Sequence, residues 1–281
     1  MIKLKNLSKR IVLLFILFCF FENHLVEATK ILIFEPLGFF EPLYKNSFTI
    51  HESYSIGEKT IFKKRNEEQT SHALDILSVY DSYNPELTEI DVLYKDEELF
   101  NSFSKEGGTY QKICDNFKTF LKEKKYDIIS CSFYPCFGYD LPLLKAIMDT
   151  LIETNTFLFI LAGNHNRQIY SSFETLLAHE GVKNILFVGA CDTDGKKEHY
   201  SNYSNFLSRD HFVYTKGNFV RNNEEIEGTS LATPFLAAYA ARLKNENPDL
   251  MVFDLKNMIL DKAILTDPND HTLGLGYISP E

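Results

Sequence analysis

Apolar and polar residues follow two different periods along this chain. Short segments that are apolar almost throughout predict buried strands, because a strand covered on both faces has no polar side. Segments with apolar residues three and four positions apart predict amphipathic helices. The predicted strands are residues 31–34, 89–94, 127–133, 156–161 and 184–189, and the predicted helices are residues 72–80, 110–124, 141–153, 171–180 and 232–243. Residues 41–70 are polar and follow neither period, which predicts irregular structure.

The order of these elements predicts an α/β fold. Strands that alternate with helices form doubly wound, mainly parallel sheets, since each helix carries the chain back across a face of the sheet. Right-handed crossovers then bring the carboxyl ends of the strands to one edge, where binding and catalytic residues usually collect. Neither an internal repeat nor a linker interrupts the pattern, so we expect one domain over residues 29–281.

The first 28 residues are typical of a secretory signal peptide. Basic residues between positions 3 and 10 precede an apolar run at residues 11–21, and Val26-Glu27-Ala28 offers a small-residue cleavage site. The run is too short for a transmembrane helix, although an uncleaved membrane anchor is the alternative. We therefore expect a secreted or exported protein, periplasmic or extracellular, with no membrane contact after cleavage.

The charge of the chain restricts its partners. The whole sequence has a formal net charge of −10, and without the first 28 residues 25 basic side chains face 37 acidic ones. An excess of negative charge repels phosphate groups. We therefore expect neither nucleic acid nor an anionic membrane surface as a partner.

The cysteines indicate structure rather than metal binding. Export permits disulfides, but four cysteines allow three pairings, and buried thiols remain an alternative. No Cys-x-x-Cys or His-x-x-x-His spacing occurs, and we interpret residues 192–194 as a solvated turn rather than a calcium site. We expect neither a metal nor a cofactor. The cysteines beyond the signal segment are Cys114, Cys131, Cys136 and Cys191.

The heptad Gly228-Thr229-Ser230-Leu231-Ala232-Thr233-Pro234 marks a junction between a loop and a helix. An alanine-rich apolar run follows at helical spacing, and Pro234 suits the first turn of a helix. The Oγ of Ser230 is therefore expected at the positive end of a helix dipole, where developing negative charge is favoured.

This heptad closely resembles the nucleophile motif of the subtilisin-like serine proteases, or subtilases, with Leu231 in place of methionine. Further segments are similar to the family in the same order: the strand ending at Glu35, Ser71-His72, Ala162-Gly163-Asn164 and the closing residues 274–278. The 92 residues from His72 to Asn164 and the 66 from Asn164 to Ser230 are close to the family's separations. The resemblance implies a three-layer fold with helices on both faces of the sheet.

The resemblance also implies a serine endopeptidase that acts on a peptide or protein substrate. Ser230 would be the nucleophile, His72 its base and Glu35 the acid that orients the imidazole, while the side chain of Asn164 would line the oxyanion hole. The substrate-binding wall of the primary specificity pocket would consist of Ser130, Cys131, Ser132 and Phe133.

Three features depart from the family pattern. The acid is Glu35 rather than aspartate, and one more methylene carries its carboxylate roughly 1.5 Å further from the backbone. Residues 73–75 replace the Gly-Thr-His that follows the family's histidine, and Asp75 places a negative charge about one turn from His72. The residues between the expected cleavage site and the first strand are too few for a prodomain, so we expect a protein that folds unaided, that folds with a separate partner, or that no longer cleaves peptides.

These departures leave a second hypothesis open, a catalytically impaired pseudoprotease that binds peptides in the same cleft. A third hypothesis is a non-catalytic hydrolase-like or flavodoxin-like module. It fits the alternation of strands and helices but gives Asn164 no role, and Ser230 lacks the Gly-x-Ser-x-Gly pattern of a nucleophile elbow.

Overall fold

The structure, a computed structural model, describes residues 29–35, 49–55, 67–83, 88–94, 118–119, 121–133, 141–169, 177, 183–221, 223–265, 267 and 269–279. The strands in these ranges are β1 (Thr29–Glu35), β2 (Thr49–Ser55), β3 (Thr88–Tyr94), β4 (Ile128–Cys131), β5 (Phe157–Leu161), β6 (Ile185–Cys191), β7 (Phe212–Lys216), β8 (Asn218–Arg221), β9 (Glu224–Glu227) and β10 (Tyr277–Ile278). The helices are α1 (Glu67–Tyr83), α2 (Leu141–Glu153), α3 (Thr229–Glu246) and α4 (Val252–Leu260).

Eight of the described strands form one sheet in the order β10-β7-β6-β5-β4-β1-β3-β2, and all of its strand pairings are parallel. The two remaining strands, β8 and β9, pair as an antiparallel hairpin. The prediction of a doubly wound parallel sheet is confirmed. Since parallel strands point the same way, their last residues share one side of the sheet, which we call the carboxyl edge; they include Glu35, Cys131, Leu161 and Cys191.

Helices cover both faces of the sheet, as predicted for three layers. On one face, α1, α3 and α4 pack against apolar side chains that include Ile31, Phe159 and Val188. On the other face, α2 packs against Ile129 and Leu158. Helix α3 is buried without interruption from Thr229 to Ala241, which explains its many alanines, since small side chains let a central helix be enclosed on all sides.

Helix α3 runs antiparallel to the strands. Its last turns lie beside the start of β1, where the backbone N–H and the hydroxyl of Thr29 both donate to Asn245 Oδ1 at 2.9 and 2.6 Å. Helix α1 lies alongside it, and the ring of Tyr83 contacts Phe235 edge-on at 5.3 Å between centroids. The first turn of α3 therefore lies at the carboxyl edge.

Two local predictions are wrong. Residues 49–55, expected to be irregular, form strand β2. This strand ends the described sheet and pairs only with β3, so it needs no continuous apolar run. Pro234 is the sixth residue of α3 and not part of its first turn, because the helix begins at Thr229. A proline nitrogen carries no hydrogen, so Pro234 cannot donate a helical hydrogen bond to the carbonyl of Ser230, four residues earlier.

The other predictions are confirmed where residues are described. Helix α1 contains the predicted segment 72–80 and begins five residues earlier. Of the predicted helix 110–124, residues 118–119 and 121–124 are helical, and of 171–180 only Leu177 is described. The predicted signal peptide, residues 1–28, lies outside the described residues.

Candidate active site

Ser230 lies in the first turn of α3, at the carboxyl edge. The turn is anchored through Gly228, whose N–H donates to Gly217 O at 3.0 Å and whose carbonyl accepts from Leu231 N and Ala232 N at 3.0 and 3.2 Å. The side chain of Ser230 is 8 % exposed. First-turn amides of a helix have no acceptor within it and attract negative charge. The structure therefore places Ser230 as the sequence predicted.

The side chain of Asn164 is held by the same helix turn. Its Oδ1 accepts from the backbone N–H of Thr229 at 2.9 Å and from the Thr229 hydroxyl at 2.7 Å. The Thr229 hydroxyl in turn accepts from Gly163 N at 3.1 Å. Because Oδ1 takes both bonds, the amide orientation is fixed and Nδ2 remains the group that can donate elsewhere.

The side chains of Ser230 and Asn164 converge beside Gly228. A Cβ built on Gly228 would lie 3.0 Å from Ser230 Oγ, 3.4 Å from Asn164 Nδ2 and 3.7 Å from Ser230 N. A hydroxyl oxygen and two N–H donors thus converge within 3.7 Å of one point, which leaves little room for a side chain at position 228. This arrangement suits an atom group that is attacked at one end and gains negative charge at the other.

His72 lies in the second turn of α1 and is half-buried. Further along the same helix, Val79 packs with Leu231 and Phe235 of α3. Residues seven apart share a helix face, and the helices run in the same direction, so His72 lies on the α3-facing side, two turns nearer the carboxyl edge than Val79.

Asp75, the unexpected charge near His72, has a partner of opposite sign. Its carboxylate forms an ion pair with Arg221, at the end of β8, and both side chains are mostly buried. The pair joins α1 to the hairpin that leads into Ser230. No sequence pattern predicts this pair, because the two residues are 146 positions apart.

Glu35 is the last residue of β1, and in register it lies opposite Tyr94 of β3. Its backbone is therefore at the carboxyl edge, in a strand flanked by β3 and β4. The side chain of Glu35 lies outside the described residues, so the distance from its carboxylate to His72 stays a prediction.

The expected pocket wall is buried. Ser130 and Cys131 are wholly inaccessible, Ser132 is 2 % exposed and Phe133 9 %. Cys131 and Phe133 belong to the α2-facing core. Strand alternation turns Ser130 and Ser132 to the α3 side, and within the described part of the chain neither hydroxyl has a hydrogen-bond partner. Ser132 thus has hydrogen-bonding capacity next to the strand end.

The cysteines divide into two chemical states. Cys131 is disulfide-bonded, and its partner lies outside the described residues. Cys191 is a free, buried thiol whose pKa is raised to about 12, first by burial and then by the charges of Asp192 and Glu198. Both outcomes that the sequence left open are therefore present in one molecule.

In the part of the chain that the structure describes, no group of three or more His, Cys, Asp or Glu residues is placed to hold a metal ion. Asp192 accepts from the backbone N–H groups of Asp194 and Lys196, which makes residues 192–196 a turn.

Among the described helices, none is both long and apolar enough to cross a membrane.

Thr229 is a site residue that the sequence reasoning missed. It lies within the heptad, but the motif alone assigned it no role. Its contacts with Asn164 span 65 positions and depend on how β5 and α3 are placed, which no local pattern encodes. Its position between the serine and the glycine of the motif was the available signal.

The parallel sheet, with a serine at a helix N-terminus beside a side-chain amide, defines an α/β protein of the serine-protease type. The sequence model of the subtilase family matches residues 99–276, more than half of the chain. The chain therefore belongs to the subtilase family. None of the curated proteins matches this sequence.

Solved subtilisin-like structures share the fold. The prenylagaramide maturation protease PagA has 18 % identity and a TM-score of 0.59, covering 89 % of this chain and 90 % of that one. A cold-adapted subtilisin-like serine proteinase has 15 % identity and a TM-score of 0.61, covering 91 % and 90 %. The subtilase cytotoxin SubAB has 15 % identity and a TM-score of 0.65, covering 89 % and 87 %.

Proposed function

We propose that this protein is an exported serine endopeptidase in which Ser230 attacks the carbonyl carbon of a peptide bond. The observation that carries the proposal is the convergence of Ser230 Oγ, Asn164 Nδ2 and Ser230 N within 3.7 Å of one point beside Gly228. A scissile carbonyl bound against these groups has its carbon beside the hydroxyl and its oxygen beside the two N–H donors. Such donors stabilise the tetrahedral intermediate more than the substrate, because negative charge develops on that oxygen.

In this proposal His72 is the general base. It takes the proton of Ser230 Oγ as the new C–O bond forms, and it delivers that proton to the leaving amine as the C–N bond breaks. Water then hydrolyses the acyl-enzyme by the same steps. The α3-facing position of His72 supports this role. Glu35 holds the imidazole from the end of β1, at the carboxyl edge.

The substrate binds as an extended segment beside residues 131–133. A peptide in that position adds a strand through backbone hydrogen bonds, while one side chain enters the neighbouring pocket. The position of these residues at and just after the end of β4, at the carboxyl edge, supports this placement.

Export is the second part of the proposal. The disulfide at Cys131 supports it, because disulfides persist in oxidising compartments and are rare in the cytosol. The basic and apolar pattern of residues 1–28, typical of a secretory signal peptide, also supports export.

A fluorophosphonate probe tests the catalytic proposal. The folded wild-type protein should be labelled at Ser230, and labelling should disappear in Ser230→Ala and fall strongly in His72→Ala. Asn164→Ala should keep its KM within a few-fold and lose kcat by on the order of 10²–10³, the loss that subtilisin itself shows without its side-chain donor. Absence of labelling in correctly folded wild-type protein would contradict the proposal.

The alternative is a pseudoprotease that binds peptides in the same cleft. The altered residues 73–75 and the glutamate at position 35 favour it, since both change the surroundings of the candidate base. It predicts an unlabelled Ser230 together with saturable binding of peptides. Peptide binding without labelling would therefore select this alternative.

A further inference from the structure

A buried asparagine holds the loop that carries Asn164. Asn202 is fully buried, and its side chain makes three hydrogen bonds to this loop. Its Nδ2 donates to Ala162 O at 2.8 Å, and its Oδ1 accepts from the backbone N–H groups of His165 and Arg167 at 3.0 and 3.1 Å. Its own backbone N–H donates to Gly163 O at 2.8 Å. One residue thus bonds to the loop on both sides of Asn164.

The loop is shaped to admit this asparagine. Gly163 has φ +101°, a conformation that favours glycine, and a Cβ at this position would lie 2.6 Å from Asn202 Nδ2. Asn164 is exposed, as are the loop residues from His165 to Gln168. The exposed loop therefore depends on a buried side chain from another segment for its backbone position.

The segment that carries Asn202 also contacts the approach to Ser230. The hydroxyl of Tyr200 donates to Asn218 Oδ1 at 3.0 Å, and the side chain of Asn218 donates to Glu198 Oε1 at 2.7 Å. Burial raises the pKa of Tyr200 well above its usual range, so the hydroxyl keeps its proton. Gly217, the neighbour of Asn218, accepts from Gly228 N.

Residues 198–202 therefore bond to the Asn164 loop on one side and to the hairpin before Ser230 on the other. We propose that Asn202 is a positioning residue that sets Asn164 Nδ2 at the distance from Ser230 that oxyanion stabilisation requires. The inference rests on the proposed function above. Displacing a catalytic group by about 1 Å can cost on the order of 10²-fold in rate, so a buried contact of this kind acts on kcat.

Asn184 provides a matched control. It is also a buried asparagine, 4 % exposed, and its Nδ2 donates to a backbone carbonyl, Thr156 O, at 2.7 Å. It precedes β6, at the opposite edge of the sheet from Ser230. Asn202→Ala and Asn184→Ala should both lower Tm. Only Asn202→Ala should lower kcat, by about 10- to 100-fold with KM changed less than about threefold.

A double-mutant cycle separates positioning from loss of stability. If Asn202 acts through Asn164, Asn202→Ala should cost almost nothing further in an Asn164→Ala background. A peptidyl trifluoromethyl ketone gives a second readout, because its hemiketal oxyanion occupies the same donors. Its affinity should fall in Asn202→Ala while that of a non-covalent peptide inhibitor is unchanged.

The outcomes are distinguishable. Additive losses in the cycle, or equal weakening of both inhibitors, would overturn the role of Asn202 and leave the endopeptidase intact. A wild-type protein that no fluorophosphonate labels would overturn the proposed function and the positioning role with it. Should Asn202→Ala fail to fold, Asn202→Ser keeps a polar group in the buried site but is too short to reproduce the three side-chain bonds, and the same loss of kcat is expected.

Discussion

Lys256 is a charged residue in a buried position, away from the candidate active site. It is 6 % exposed, and its Nζ lies 3.1 Å from Nδ1 of His211. Burial lowers the pKa of Lys256 to about 8. Burial, and then the charge of Lys256, lowers the pKa of His211 to about 4. At neutral pH a lysine ammonium therefore donates to a neutral imidazole.

Both shifts make the folded protein more stable as pH rises. Between about 8 and 10.5 the unfolded chain keeps a proton on Lys256 that the folded chain has lost. Between about pH 4 and pH 6.5, His211 is protonated in the unfolded chain and neutral in the folded chain. Stability should therefore rise as the pH rises through each window, and at pH 7 the cost of the buried ammonium is fully present.

We expect Lys256→Met to raise the free energy of unfolding at pH 7 by about 1–3 kcal/mol, because a methionine of similar length needs no desolvation. His211 keeps a partner, since its Nδ1 lies 3.4 Å from Ile185 O and can donate there. Denaturant titrations from pH 4 to 10.5 should show that the wild-type rise in the free energy of unfolding above pH 8 is absent from Lys256→Met. The exposed Lys262→Met is the control, with little change expected; a lower stability in Lys256→Met would contradict the argument.

The site residues that the sequence could predict are those in linear motifs. Ser230 and Asn164 each lie in a short segment with its own chemistry, and the structure brings both together beside Gly228. Thr229 and Asn202 could not be assigned roles, because their functions consist of contacts to Asn164 and its loop that only the folded chain creates. Lys256 lies in an amphipathic helix, and its burial could not be predicted from the sequence either.

At the scale of elements, the Asp75–Arg221 ion pair connects helix α1 with the β8–β9 hairpin. One element carries His72 and the other leads into Ser230. Residues three apart on a helix are neighbours, so the charge balance at Asp75 acts on His72. The pair thus couples the candidate base to the candidate nucleophile.

Breaking the pair from either side should shift the pH dependence of activity in opposite directions. Arg221→Met leaves the Asp75 charge uncompensated, which favours protonated His72 and moves the acid limb of kcat/KM to higher pH. Asp75→Asn leaves the Arg221 charge uncompensated and moves it to lower pH. Each variant should also lose about 1–3 kcal/mol of stability, because a mostly buried charge loses its partner.

The measurement is kcat/KM across the acid limb for both variants. Lys118→Met, which breaks the exposed pair with Glu153 on the far side of the sheet, should leave the pH profile unchanged. If both variants near His72 lose stability but keep the wild-type profile, the ion pair supports the fold alone.

Among the elements, most strands covered on both faces were predicted, whereas the covered strand β7 and the peripheral strands β2, β8 and β9 were not. The apolar runs of β4, β5 and β6 are buried at every position. Strand β2 at the end of the described sheet and the β8–β9 hairpin have polar sequences, since pairing on one side only requires no apolar run. Their positions depend on tertiary contacts such as that of Arg221 with Asp75.

At the scale of the whole molecule, the two cysteine states give a test of global folding. Cys191 is 2 % exposed and its pKa is raised to about 12. In the native state its sulfur is therefore inaccessible to reagents and stays a protonated thiol rather than the reactive thiolate. Iodoacetamide should therefore modify Cys191 only after denaturation, as peptide mass mapping would show. Rapid alkylation of Cys191 in native protein would contradict the buried position. Reductant should lower Tm by opening the Cys131 disulfide.

The overall architecture follows from the alternation of strand and helix along the chain, and this was predictable. The order of the strands was not, because adjacency in the sheet differs from adjacency in sequence: β1 lies between β3 and β4. That order places the end of β1, with Glu35, in the middle of the carboxyl edge.

The position of Thr29 has a consequence for the timing of maturation. Its side chain is 2 % exposed, and its backbone N–H is bonded to Asn245 at the far end of α3. A peptidase needs an accessible, extended backbone to cut before this residue. If the leader is removed at that bond, as the proposed export requires, cleavage has to precede folding. Folding would then bury the new amino terminus beside the last turns of α3.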